Sequence, residues 1–138
     1  MKNVLTAYDS ALVLADTQAI TTATTTYGKD SGGTAKVLDL QNYKNTKMFA
    51  NLRYTAVDFT TGDEVYTLKI QSCDSSNFSS TPVFESTIPM GIAATVAAGK
   101  VLRSVGYVPE GRYVRAAFVS AGTSPVWTID KLWLSPET

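Results

Sequence analysis

Tyr66-Thr67-Leu68-Lys69-Ile70-Gln71 decides the fold class. Tyr66, Leu68 and Ile70 alternate with Thr67, Lys69 and Gln71, a period of two that turns one face to a core and the other to solvent. The period recurs in both directions from there. Met48, Ala50, Leu52 and Tyr54 oppose Asn51, Arg53 and Thr55. Phe84, Ser86 and Ile88 oppose Val83, Glu85 and Thr87, and Val114, Ala116 and Phe118 oppose Arg115 and Ala117. Residues 36–40 and 101–105 make shorter candidates. The last segment, residues 126–134, begins with Trp127 and Ile129 on one face and then changes phase, so that Leu132 and Leu134 continue from Thr128 and Asp130. That break predicts a bulge or bend at Asp130-Lys131, or else a strand covered on both faces, for instance by a neighbouring subunit.

Turn signals separate these strands: Thr61-Gly62-Asp63, Asp74-Ser75-Ser76-Asn77, Ile88-Pro89-Met90-Gly91, Pro109-Glu110-Gly111 and Gly122-Thr123-Ser124-Pro125. Short strands punctuated in this way predict an all-β antiparallel sandwich or barrel rather than a parallel α/β sheet. Residues 90–98, small and Ala-rich, are the one stretch that fits a helix, and they fit a loop equally well. Thr21 to Thr34, rich in Thr, Gly and Ser, reads as a flexible arm or long loop. The expected organisation is therefore one domain, with residues 1–35 an N-terminal arm and loop packed on a sandwich core of residues 36–138.

Bulk composition agrees with one globular domain. The chain has 138 residues, 44% apolar and 17% charged, against a usual charged share of about 25%. Ser and Thr, 31 in all, supply the missing polarity, and they suit turns and strands. Net charge is zero, so the phosphate-driven affinity of nucleic-acid binding has no basic face to act through. Lys36, Lys44, Lys47 and Arg53 are the residues from which such a patch would have to be folded. Cys73 is the single cysteine, which rules out an internal disulfide and fits synthesis in a reducing cytoplasm. Met1 to Leu5 faintly imitates a signal peptide, but Asp9 and Asp16 interrupt the apolar run, so an unsecreted chain is expected. No stretch approaches the roughly 18 apolar residues of a membrane span.

The search for chemistry returns little. There is no histidine, which removes the usual general base and metal ligand and the Ser-His-Asp triad together. Neither S-x-x-K nor G-x-S-x-G occurs, and Gly28-Lys29-Asp30 lacks the upstream glycine and the Ser or Thr of a phosphate loop. Asp58, Asp63 and Glu64 would be the carboxylates of a glycosidase, but they cluster where a turn is expected. Asp74, Ser76 and Asn77 offer oxygens to calcium without matching any calcium loop, so an Asx turn is the simpler reading. Cys73, at a strand end, reads as a small, half-buried hydrophobe. No catalytic residue, cofactor or metal ligand is assigned. For protein contacts the candidates are Leu12, Leu14 and Ile20 on the arm, Tyr107 and Tyr113 flanking a turn or simply strand tyrosines, and Trp127 and Trp133 as interface anchors or a sugar platform, with a core position for at least one of the two equally open.

A resemblance covers most of the chain in order. Leu14-Ala15-Asp16-Thr17-Gln18-Ala19-Ile20-Thr21 opens it, followed by residues 66–74, Asn77-Phe78 and Pro82-Val83. Ile88-Pro89, Ala98-Gly99-Lys100, residues 109–115 and Val119-Ser120-Ala121-Gly122-Thr123 continue it. Together these resemble the capsid cement, or head decoration, proteins of tailed bacteriophages, of the Bordetella-phage cement type. The sequence departs from that pattern in the extra Thr and Gly of residues 22–36 and in the two tryptophans of the tail. The resemblance implies a small jelly-roll protein, a dimer or trimer, on the outer surface of the virion. There it would clamp neighbouring major capsid subunits, with no catalytic residues and no part for nucleic acid or membrane. Two further readings stand beside it: a carbohydrate- or receptor-binding sandwich of a phage fibre using the tryptophans, and a small polysaccharide hydrolase using Asp58, Asp63 or Glu64.

Overall fold

A computed structural model describes residues 12–41, 45–79, 82–93, 99–104 and 106–136. They form nine strands: β1 (Val13–Ile20), β2 (Thr25–Tyr27), β3 (Leu38–Asp39), β4 (Met48–Val57), β5 (Val65–Cys73), β6 (Phe84–Ile88), β7 (Val101–Arg103), β8 (Tyr113–Ala121) and β9 (Trp127–Pro136). All pairings are antiparallel. One sheet runs β1-β9-β4-β7; the other runs β2-β8-β5-β6, with β3 beside β2 along the same edge of β8. The two sheets form the expected all-β sandwich. Only the β5–β6 hairpin and the β2–β3 link stay within a sheet, and every other connection crosses between the two.

The alternation builds the core as expected. Tyr66, Leu68 and Ile70 of β5 and Val114, Ala116 and Phe118 of β8 meet Met48, Ala50, Leu52 and Tyr54 of β4 between the sheets. The phase break in β9 is real. Tyr54 pairs with Ile129 and Arg53 with Lys131, so Asp130 is the extra residue of a bulge. That one insertion lets Trp127 and Ile129 face the core before it, and Leu132 and Leu134 after it. Both sequence alternatives hold together, because Trp133 and Ser135 on the opposite face of β9 are buried as well.

Residues 12–35 are part of the sandwich. β1 pairs along β9, and Leu12, Leu14, Ala15 and Ile20 belong to the core. The pattern was hidden because the register shifts between Val13 and Ala15, placing three consecutive buried residues where alternation is expected. Thr21 to Thr34 is ordered too, and carries β2. Asp30 accepts hydrogen bonds from the Gly32 and Thr34 amides, closing a tight loop. Its return is fixed by Asp16 N–H donating to the Lys29 carbonyl at 2.9 Å. Gln18, buried, completes the seam: its Nε2 donates to the Tyr27 carbonyl and its Oε1 accepts from the Lys29 amide. Of the arm expected at the N-terminus, residues 1–11 lie outside the described residues. Residues 90–93 are not helical and Met90 packs into the core; residues 94–98 lie outside the described set.

Candidate functional site

The outward face of the five-stranded sheet carries the most organised polar cluster in the described structure. Register builds it from three strands and a loop. Gln71 of β5 lies between its partners Arg115 of β8 and Glu85 of β6, all on the side away from the core. Tyr27 of β2 pairs with Ala117, one outward position further along β8. The loop after β5 then returns over this face. Asn77 Oδ1 accepts from Ser75 Oγ and the Ser79 amide, an Asx turn that holds Phe78 at a φ of 57°. A bulky residue in the left-handed region is held there against its own preference, and the ring it carries lies over Arg115.

The result is a guanidinium between two aromatic rings. The central carbon of Arg115 is 3.9 Å from the Tyr27 ring centroid and 4.0 Å from that of Phe78. Both distances are well inside the roughly 6 Å range of cation–π attraction. Arg115 Nε donates to Gln71 Oε1 at 2.8 Å, Gln71 Nε2 donates to Glu85 Oε2 at 2.7 Å, and Lys69 Nζ donates to Glu85 Oε1 at 3.2 Å. The hydrogen bonds from Gln71 and Lys69, together with the Lys69 charge, hold the Glu85 carboxyl below the usual carboxylate range against a smaller desolvation effect. An ionised Glu85 only accepts, so the Gln71 amide must turn its NH2 to Glu85 and its oxygen to Arg115. The chain of contacts fixes the arginine in rotation as well as in position.

The other arginines are placed differently. Arg112 donates through Nε and Nη2 to the two oxygens of Asp39, at 2.8 Å each, and lies 5.1 Å over Tyr113. Arg53 is paired with Asp130. Arg103 reaches Asn51 Oδ1 at 3.4 Å.

The structure brings few of the sequence candidates together. Leu12, Leu14, Ile20, Trp127 and Trp133 are 5% exposed or less. Side chains enclosed to that degree present no surface to a partner or a sugar. Leu12, Leu14 and Ile20 look available in sequence only when β1 is taken as an arm, and of the alternatives open for the two tryptophans the core position holds for Trp127. Trp127 packs edge-on against Tyr66 and Phe118, with centroids 5.4 and 5.2 Å apart. Tyr107 packs against the core, its hydroxyl enclosed without a partner, and burial raises its pKa. Tyr113 is half-buried beneath Arg112.

The three carboxylates read as possible acids are committed to turns. Asp58 accepts from the Thr60 hydroxyl and amide, and Asp63 from the Thr123 amide at 3.0 Å and hydroxyl at 2.7 Å. Glu64 accepts from the Thr61 and Gly62 amides. The Thr60 and Thr123 contacts lower the first two pKa values. Desolvation pushes Glu64 up, but its amide donors outweigh that and its pKa is also lowered. A glycosidase acid needs a raised value. Among the described residues no group of three or more His, Cys, Asp or Glu is placed to hold a metal. Asp74 instead accepts from the Arg112 amide. Cys73 is buried. No described helix is long and apolar enough to cross a membrane.

The Arg115 cluster was missed by sequence reasoning. Residues 27, 71, 78, 85 and 115 share no local spacing, and only strand register brings them together. Outward polar residues in β5, β6 and β8 were the available signal. No family model, curated protein or solved structure matches the chain.

Proposed function

We propose that this protein is a structural cement of a tailed-phage head, bound to the outside of the particle and clamping neighbouring major capsid subunits. The observation that carries the reading is the strand order. β1-β9-β4-β7 facing β2-β8-β5-β6, with nearly every connection crossing the sandwich, is the order of two interlocked Greek keys. That order supports a jelly-roll reading of the sandwich, the fold implied by the sequence resemblance and an architecture used by viral capsid domains. The composition supports a binding role without catalysis: no histidine, and carboxylates spent on turns. The fibre-module alternative is weakened by the burial of both tryptophans, its sugar platform.

As a cement the chain works by many weak contacts repeated around the head, where avidity replaces single-site affinity. Homo-oligomerisation would multiply those contacts further. The test is co-sedimentation of the purified protein with intact expanded heads, alongside heat and chelator challenge of heads with and without it. Binding together with added resistance supports the reading. Failure to sediment with heads, or heads equally fragile in its presence, overturns it.

A further inference from the structure

The Arg115 cluster is built like a receptor whose ligand comes from elsewhere. Arginine offers five N–H donors in a flat fork. Here the two faces are covered by Tyr27 and Phe78 and the Nε edge by Gln71. Among the described residues the Nη edge meets no acceptor, and its nitrogens are not among the fully enclosed polar atoms that lack a partner. Arg112 shows what such a fork takes when a carboxylate is within reach: both oxygens of Asp39, at 2.8 Å each. At Arg115 the fork is held by two rings and by Gln71, yet among the described residues no acceptor stands opposite Nη.

We infer that Arg115 is a preorganised receptor for a carboxylate, supplied by an Asp or Glu side chain of the major capsid subunit; this rests on the cement reading. Three features define the occupant. The rings leave only the in-plane edge of the guanidinium open, which suits a planar group accepting two parallel hydrogen bonds. The local charge is one short of balance, with Arg115 and Lys69 opposed by Glu85 alone in this network. A single carboxylate closes that balance, whereas a phosphate, at about −1.5 to −2, exceeds it beside the ionised Glu85. Finally, the rotamer entropy of a long arginine has been removed in advance by Tyr27, Phe78 and Gln71, so docking an acidic side chain orders only the partner.

Two measurements on the full chain test this. The first compares head binding by wild type, Arg115→Ala and Arg115→Lys, with thermal unfolding run on each variant. Both variants should bind at least tenfold more weakly, including Arg115→Lys, which keeps the charge but loses the fork. If Arg115→Ala fails to fold, Arg115→Lys decides alone. Binding within twofold of wild type by a folded variant overturns the inference. The second follows the Arg115 Nε–H resonance during titration with hexaglutamate or with inorganic phosphate at matched ionic strength. A shift with hexaglutamate that phosphate does not reproduce supports the receptor. No shift, or equal shifts, overturns it. Should wild type not bind heads, the cement reading falls while the second measurement still judges the carboxylate site.

Discussion

Replacing Trp127 separates a core anchor from a surface contact. Its side chain is fully buried between the sheets and packs edge-on against Tyr66 and Phe118. Truncating a buried Trp to Ala typically costs about 3–5 kcal/mol. The two edge-to-face pairs, each adding roughly 0.5–1.5 kcal/mol beyond area burial, place Trp127→Ala at the upper end, about 5 kcal/mol. With an m-value of about 2 kcal/mol/M the urea midpoint falls by about 2.5 M, and Tm by about 15–20 °C. Trp127→Phe has a different expectation. The indole N–H is enclosed without an acceptor, a burial that itself costs about 1–3 kcal/mol. Removing it offsets most of the ring area lost, so Trp127→Phe should cost about 1 kcal/mol or less. Equilibrium unfolding in urea, followed by far-ultraviolet circular dichroism, measures both. A midpoint shift below about 0.5 M for Trp127→Ala, accompanied by lost head binding, would refute the core assignment and return Trp127 to the surface.

Gly111→Ala should destabilise by about 3 kcal/mol: an added Cβ would sit 2.3 Å from the Cys73 nitrogen and 2.7 Å from the Ser72 carbonyl carbon, backbone that cannot yield without moving β5. A urea midpoint unchanged from wild type would contradict it. Stability should be flat from about pH 5 to 8, since no histidine titrates there and an exposed thiol ionises only above it. Asp39, Asp58, Asp63, Glu64 and Glu85 all have folded pKa values below their unfolded ones. Their contribution is complete above the unfolded value near 4 and is lost as pH falls through the folded values. Tyr54, Tyr66 and Tyr107 are raised, chiefly by desolvation, so their contribution holds below about pH 10 and is lost above it. Urea midpoints measured from pH 3 to 11 check both limbs. The triple substitution Asp58→Asn, Asp63→Asn, Glu64→Gln should lower Tm while leaving head binding within twofold; loss of binding in a folded triple variant would place the β4–β5 turn at the interface.

The central strands could be read in the sequence because each buries one face. In β4, β5 and β8 the period of two maps onto core and solvent without interruption over Met48 to Tyr54, Tyr66 to Ile70 and Val114 to Phe118. Even the irregularity of β9 was visible, since an extra residue at Asp130 shifts every later side chain to the other face and leaves a break in the pattern. β1 failed for the same physical reason in less favourable circumstances. Its shift falls between Val13 and Ala15, too near the start for either phase to be established, and a second irregularity follows at Thr17, with φ at 50°. β2 is three residues long and holds its place through the Gln18 seam, a contact between positions nine and eleven apart with no periodic signature. The Arg115 cluster was illegible because it depends on register, which the hydrophobic pattern fixes only modulo two.

The unequal treatment of the two outer faces indicates where a partner can bind. On the four-stranded sheet Val13, Asn51, Trp133 and Ser135 point away from the core and are nonetheless buried, and Asn51 Nδ2 donates to Ser135 Oγ at 2.9 Å. That face is spent on stability. On the five-stranded sheet the outward row keeps Lys69, Glu85, Arg115 and Tyr27 within reach of solvent, although Gln71 and Ala117 beneath them are enclosed. The charged groups there are tied to one another in a fixed geometry, while the apolar support lies under them. Such a layer resists aggregation through its charge and still presents shaped, oriented donors. Two of the edges are less inviting: β6 is bracketed by Pro82 and Pro89, and β7 is only three residues long, both features that discourage strand addition. On the cement reading proposed above, a partner would have most to gain by approaching the face of the five-stranded sheet, where the inferred Arg115 receptor lies.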